Sequence, residues 1–197
     1  LWPGGGWYTA ILAPLVHDQG HLRAVAAENR YLQGFRDFVA ARPDLYDRVE
    51  LVTIQPANGS ALSFGEDGSA DVVLTFRNFH NWMSGDYEDE VLAAAFRALR
   101  PGGVLGVVEH RASEGTDRAR MIETGYVTEA LVIETAQAAG FVLEERSELN
   151  ANAADDHDHP NGVWSLPPVL RGGDEGREEF LAIGESDRMT LRFRKPE

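Results

Sequence analysis

The chain has 197 residues, of which 32 are acidic and 18 basic, for a formal net charge of -14. Such a surface repels phosphate backbones, which nucleic-acid binders attract with Lys and Arg, so DNA and RNA are not expected partners. Cysteine is absent, which removes disulfides, thiolate metal sites and a cysteine nucleophile. No run of about 18 apolar residues offers a membrane span, and without a visible signal peptide a cytoplasmic location is expected. The length suits one domain over 1–197, and 43% apolar residues suffice for one buried core.

In chain order, Leu1-Trp2-Pro3-Gly4-Gly5-Gly6 leads into Ala10, Ile11, Leu12, Leu15 and Val16 at helical spacing, predicting a helix over Trp7–His17. Leu22–Ala27 reads as a strand, Asn29–Ala41 as a helix closed by Pro43, and Val49–Ile54 as a strand. A loop from Gln55 to Ala70 precedes a nearly all-apolar strand, Asp71–Phe76. Tyr87–Leu99 reads as a helix, Arg100–Gly103 as a turn, and Val104–Glu109 as a strand. A helix over Thr128–Ala139 ends at Gly140, followed by the strand Phe141–Arg146. Met189–Arg194 alternates as a last strand. Residues 149–187 break the pattern and read as a long loop or lid, whose acidic run Asp155-Asp156-His157-Asp158-His159 is expected to be solvated rather than metal-binding. Strands alternating with helices predict an α/β fold with a mostly parallel, doubly wound sheet. The sequence begins where the first strand of such a sheet should be ending, so that strand is expected to lie outside it.

Open parallel sheets bind ligands beyond the carboxyl ends of their strands, so the residues there are the candidates. Gly4, Gly5 and Gly6 permit a tight turn and close approach to a ligand at a helix N-terminus, where nucleotide-type cofactors bind. Glu28 follows at the spacing of a ribose-binding acid. Asn58 and Gly59 could contact an adenine ring. After the strand Asp71–Phe76 come Arg77, Asn78, Phe79, His80 and Trp82, polar groups mixed with aromatics that suit a substrate pocket. Glu109 and His110 follow the next strand. His80 and His110 are the candidate bases. No metal site is expected.

These residues resemble class I S-adenosylmethionine-dependent methyltransferases. Leu1–Gly6 sits where that family has its glycine-rich motif, although Trp2 occupies the first glycine position and Asn58 replaces the usual adenine-binding Asp. Ser69–Leu74 is similar to the family's fourth-strand motif. Phe96–Gly103 is similar to its Leu-x-Pro-Gly-Gly turn, and Ala138–Phe141 to the turn before its sixth strand. The segments Phe76–Trp82 and Ile183–Phe193 resemble a group of bacterial predicted methyltransferases. The resemblance implies a Rossmann-like sheet with an antiparallel last strand. It implies S-adenosylmethionine as cofactor at Gly4, Gly5, Gly6, Glu28, Asn58, Gly59 and Asn78. It also implies transfer of the sulfonium methyl; the acidic charge and the lack of an Asn-Pro-Pro-aromatic run after the fourth strand favour a small-molecule acceptor, expected to be lined by Arg77, Phe79, Trp82 and Glu109.

Two alternatives stand beside this. An NAD(P)-dependent oxidoreductase fits the glycine turn and Glu28, but the third glycine of its fingerprint would fall at Thr9, and the sole lysine, Lys195, leaves no lysine-based site. A non-catalytic cofactor- or metal-binding protein of methyltransferase fold is the other.

Overall fold

The chain builds its strands at the short apolar runs read from the sequence, and in a computed structural model residues 1–29, 32–56 and 61–197 are described. They form two units, Leu1–Glu66 and Asp67–Glu197.

In the first unit, α1 (Trp7–Val16) is followed by β1 (Leu22–Ala27), α2 (Leu32–Ala41), α3 (Pro43–Tyr46) and β2 (Val49–Ile54). Strands β1 and β2 are parallel, in register from Leu22↔Val49 to Ala27↔Ile54. Ala24, Ala26, Leu32 and Phe35 are buried between strand and helix, with Phe38, Val39, Val49 and Leu51 packed around them. Pro43 does more than close α2. It opens α3 from the first helical turn, where its missing N–H costs nothing. Trp2 N–H donates to Val25 O at 2.7 Å, so the residues before the glycine run lie alongside β1.

The second unit holds β3 (Ala70–Phe76), α4 (Phe79–Ser84), α5 (Glu88–Ala98), β4 (Leu99–His110), α6 (Arg118–Thr124), α7 (Glu129–Ala138), β5 (Val142–Ser147), α8 (Arg177–Ile183) and β6 (Arg188–Arg194). Its sheet has the order β3-β4-β6-β5. Strands β3 and β4 are parallel, and β6 runs antiparallel to both its neighbours, β4 and β5. The architecture is therefore α/β and Rossmann-like, with the antiparallel last strand expected from the sequence. The turn expected at Arg100–Gly103 lies inside β4. Leu99 pairs with Ala70 and Val104 with Val72, so the four residues are absorbed as a register shift.

Sequence patterning missed α4, α6 and α8, each too short to show a clear 3.6-residue period. Local chemistry still marks α6: the Asp117 carboxylate accepts from Arg120 N, and Gly125 ends the helix at φ 77°. Lys195 is a structural residue. Its Nζ donates to the carbonyls of Phe96 and Leu99, each at 2.7 Å, at the end of α5.

The long connection corrects the expectation of a solvated acidic loop. Asp155 is buried and accepts from the Tyr126 hydroxyl with both oxygens at 2.9 Å, from His157 N at 3.0 Å and from Asp187 N at 2.8 Å. The His159 ring, also buried, lies 2.8 Å from the same carboxylate. Asn152 ties the loop down again, donating from its amide to the carbonyls of Ile183 and Glu185. Arg111 forks onto Asp187 and Glu148. Only Asp156 and Asp158 of the acidic run are exposed.

Asp155→Ala should strip an acceptor from several buried donors, each worth about 1–3 kcal/mol when orphaned. Urea unfolding should show a loss of at least that size, and limited proteolysis should become rapid within residues 149–187.

Candidate active site

In the first unit, the glycine run makes the turn expected of it. Gly6 has φ 97° and caps α1 without a side chain. A Cβ on Gly6 would lie 2.5 Å from Phe38 Cδ1, whereas a Cβ on Gly4 or Gly5 would meet nothing within 4 Å. The backbone of Gly4 and Gly5 therefore faces open space beside a helix N-terminus, whose first N–H groups have no intrahelical partner. Glu28 directly follows β1, as expected, but has a partner that the sequence did not disclose. Arg36 on α2 forks onto its carboxylate at 3.2 and 2.9 Å, which holds the carboxyl below its ordinary pKa. The carboxylate stays half exposed, at 55%. With about four acceptor positions per carboxylate, it keeps room for two hydroxyl donors. Asn58 and Gly59 lie outside the described residues.

In the second unit, the carboxyl ends of β3 and β4 converge on one buried carboxylate. Along β4, Leu105, Val107 and Glu109 alternate onto the buried face, so Glu109 extends an apolar row and has no exposed surface. Its oxygens are fully used by protein donors. Phe79 N donates at 2.5 Å and His80 N at 3.4 Å, both at the start of α4. His110 N donates at 2.8 Å, and His80 Nδ1 lies at 3.0 Å. Burial alone would push the Glu109 carboxyl up. The charge that the His80 ring carries when protonated and its hydrogen bond, with the His110 N–H behind them, outweigh burial and hold it below its ordinary range.

This corrects two expectations. Glu109, expected to line the acceptor pocket, has no exposed surface, and its oxygens are taken by protein donors. Phe79 and Trp82, expected to line the acceptor pocket, are 1% and 0% exposed and pack on each other with ring centroids 5.7 Å apart. They support α4 from the core side.

His80 is buried against Glu109, and His110 lies beside it with ring centroids 5.6 Å apart. His110 Nδ1 meets Ser186 Oγ at 2.5 Å. Burial, aided by the neighbouring positive groups, pushes the His110 imidazolium down to about 3, so the ring is neutral at pH 7. Trp164 and His80 meet edge to face with centroids 6.0 Å apart. Asn78 is buried at the head of α4 and donates to Phe76 O at 3.0 Å. Arg77 departs from β3 with φ 57°, an uncommon conformation for a residue with a Cβ, and its N–H donates to Val108 O at 2.7 Å. The sequence picked out these residues by position. It could not show that Glu109 serves His80, because the two are separated by 29 residues and meet only through sheet pairing.

A sequence profile described as a methyltransferase domain matches residues 3–107, just over half of the chain and part of both units. No curated protein matches the chain. Among solved structures, the chain is similar to the [4+2]-cyclase SpnF at 17% identity and a TM-score of 0.65, over 98% of this chain and 72% of that one. It is similar to an S-adenosylmethionine-dependent methyltransferase from Aquifex aeolicus at 16% identity and a TM-score of 0.58, over 74% and 72% of the two chains. An arsenic(III) S-adenosylmethionine methyltransferase from Chlamydomonas reinhardtii follows at 16% identity and a TM-score of 0.59, over 99% and 61%. At these identities the likeness establishes the fold. Among the described residues no helix is long and apolar enough to cross a membrane.

The depressed His110 value carries a stability consequence. In the unfolded chain the ring takes up a proton near its ordinary 6.5, but in the folded chain only near about 3. The His110 contribution is therefore complete above pH 6.5 and is lost as pH falls from there. Glu109 acts in a separate, more acidic window. Its carboxyl is lowered from 4.5, so its contribution is present above that value and disappears only as pH falls further. Between pH 6.5 and 5 the unfolding free energy of the wild type should drop relative to His110→Gln by about 1 kcal/mol per pH unit, read by urea titration at each pH.

Proposed function

The chain belongs to the methyltransferase-domain family, with S-adenosylmethionine as its cofactor, and on that premise we propose that it methylates a small-molecule acceptor whose proton is taken by His80. Residues 1–197 act as one catalytic domain in this reading, with 149–187 as an insertion tied to it. The carrying observation is the His80–Glu109 pair, a buried imidazole oriented by an ionised carboxylate at the carboxyl ends of two parallel strands.

The glycine turn fits the cofactor. Gly4 and Gly5 have open space where side chains would stand, Gly6 is in the left-handed region, and Glu28 keeps free acceptor positions. Gly4, Gly5, Gly6 and Glu28 would hold the cofactor, with Asn58 and Gly59 as its adenine contacts. The bound cofactor supplies an electrophilic methyl group on a sulfonium. Alignment with a nucleophile then supplies most of the rate.

The chain's own residues supply the proton chemistry. A carboxylate cannot donate, so the hydrogen bond between His80 and ionised Glu109 puts the proton on Nδ1 and the lone pair on Nε2. Nε2 takes the proton from the acceptor, and the resulting imidazolium is stabilised by the Glu109 charge beside it. Glu109 also fixes the start of α4 through the N–H groups of Phe79 and His80, so the base and its helix are placed by one group. His110 is too weakly basic to share the task and serves as a neutral neighbour held by Ser186.

Isothermal titration with S-adenosylhomocysteine should show saturable binding, with NADH as a control that gives none. NADH binding in its place would favour the oxidoreductase alternative. Once an acceptor is identified, His80→Ala should lower kcat by about 10²–10⁴-fold with unchanged S-adenosylhomocysteine affinity. An equal loss of cofactor affinity would reduce His80 to a structural role.

A further inference from the structure

We infer that the acceptor is a small organic carboxylate and that Arg77, with Arg188 across β4 from it, is its anion-binding site, an inference resting on the methyltransferase reading of this site.

The chain carries far more acids than bases, so most of its arginines find carboxylates. Arg23, Arg36, Arg42, Arg100, Arg111, Arg118, Arg120, Arg146, Arg192 and Arg194 all form ion pairs. Arg77 does not. Among the described residues no carboxylate lies within ion-pair distance of its guanidinium, and its Nε is sealed from water without a hydrogen-bond partner. A guanidinium partly shut away from water with no carboxylate beside it is costly to leave uncompensated, and an anion reaching its terminal Nη atoms would offset that cost. Arg77 also sits in a left-handed conformation directly beyond β3, and such strained positions cluster where ligands are held.

Arg188 repeats the pattern. It pairs with His110 in the antiparallel ladder between β4 and β6, and directly opposed residues present their side chains on the same face. Its guanidinium meets Glu185, yet its Nε is likewise buried without a partner. Both arginines lie close enough to His110 to disfavour its protonated form. Arg77 N–H donates to Val108 O on one side of β4 and Arg188 opposes His110 on the other, so two incompletely bonded guanidinium groups stem from the two strands that border the end of β4. The planar fork of Arg matches a carboxylate. The nearby Trp164 ring favours an organic anion over an inorganic one, since it offers apolar contact to a carbon skeleton. A local cation pair is also what an anionic acceptor would need to approach a protein with a charge of -14.

Benzoate and benzamide test this, because they share a shape and differ in charge. Each is titrated calorimetrically into the protein, with and without saturating S-adenosylhomocysteine. Benzoate should bind saturably and at least ten-fold more tightly than benzamide. Arg77→Met, which keeps the apolar stem, should erase that preference while leaving S-adenosylhomocysteine binding intact. Arg188→Gln should reduce it in part. Equal affinities for the two probes, no benzoate binding, or a preference that survives in Arg77→Met would each overturn the inference. Failure of S-adenosylhomocysteine to bind, with the benzoate preference present, would instead remove the cofactor reading and leave the anion site standing.

Discussion

A carboxylate with no exposed surface organises the second unit. Glu109 stands at the end of the buried row of β4, where a charge is costly unless every acceptor position is filled. Four donors fill them, and they come from three places: the head of α4, the His80 ring and the residue following Glu109 itself. The bonds that make the charge tolerable also fix where α4 begins and which nitrogen of His80 carries the proton. Stability and site geometry are thus one set of contacts, and neither can be altered without the other.

The same device recurs in the long connection. Asp155 and Asp187 collect backbone N–H groups, a phenol and a guanidinium, and these bonds hold in place a segment whose composition suggests a lid. Tyr126 remains a donor to Asp155 because burial, and then the Asp155 charge, push its phenol well above the ordinary range. Ser186, next to Asp187, reaches His110. The connection is accordingly part of the scaffold behind the histidines.

The two histidines show how environment divides roles between like residues. His80 has a carboxylate against its Nδ1. His110 has a hydroxyl, burial and several cations around it, which keep it neutral. The carboxylate neighbour suits His80 to receive a proton, and the cations around His110 suit that side of the site to an anion. Arg77, placed by an unusual backbone turn at the end of β3, extends the same positive field.

Much of the fold is legible in the sequence. Short apolar runs such as Val104–Glu109 and the alternation of Met189–Arg194 placed the strands, and the glycine run before Trp7 placed the turn into α1. Positions beyond strand ends, Glu28, Arg77, His80 and His110, followed from the rule that such sheets bind ligands there. These are local signals, carried by neighbours in the chain. Contacts between distant residues decided the rest. Burial of Phe79, Trp82 and Glu109 depends on packing around α4, the Glu28–Arg36 pair on the return of α2 toward β1, and the Asp155 cluster on a loop meeting Tyr126 29 residues away. Residue type and spacing set which groups lie near a strand end. Only the tertiary structure sets which of them keep a free lone pair or an unpaired charge, because that depends on which partners the fold brings within hydrogen-bond reach.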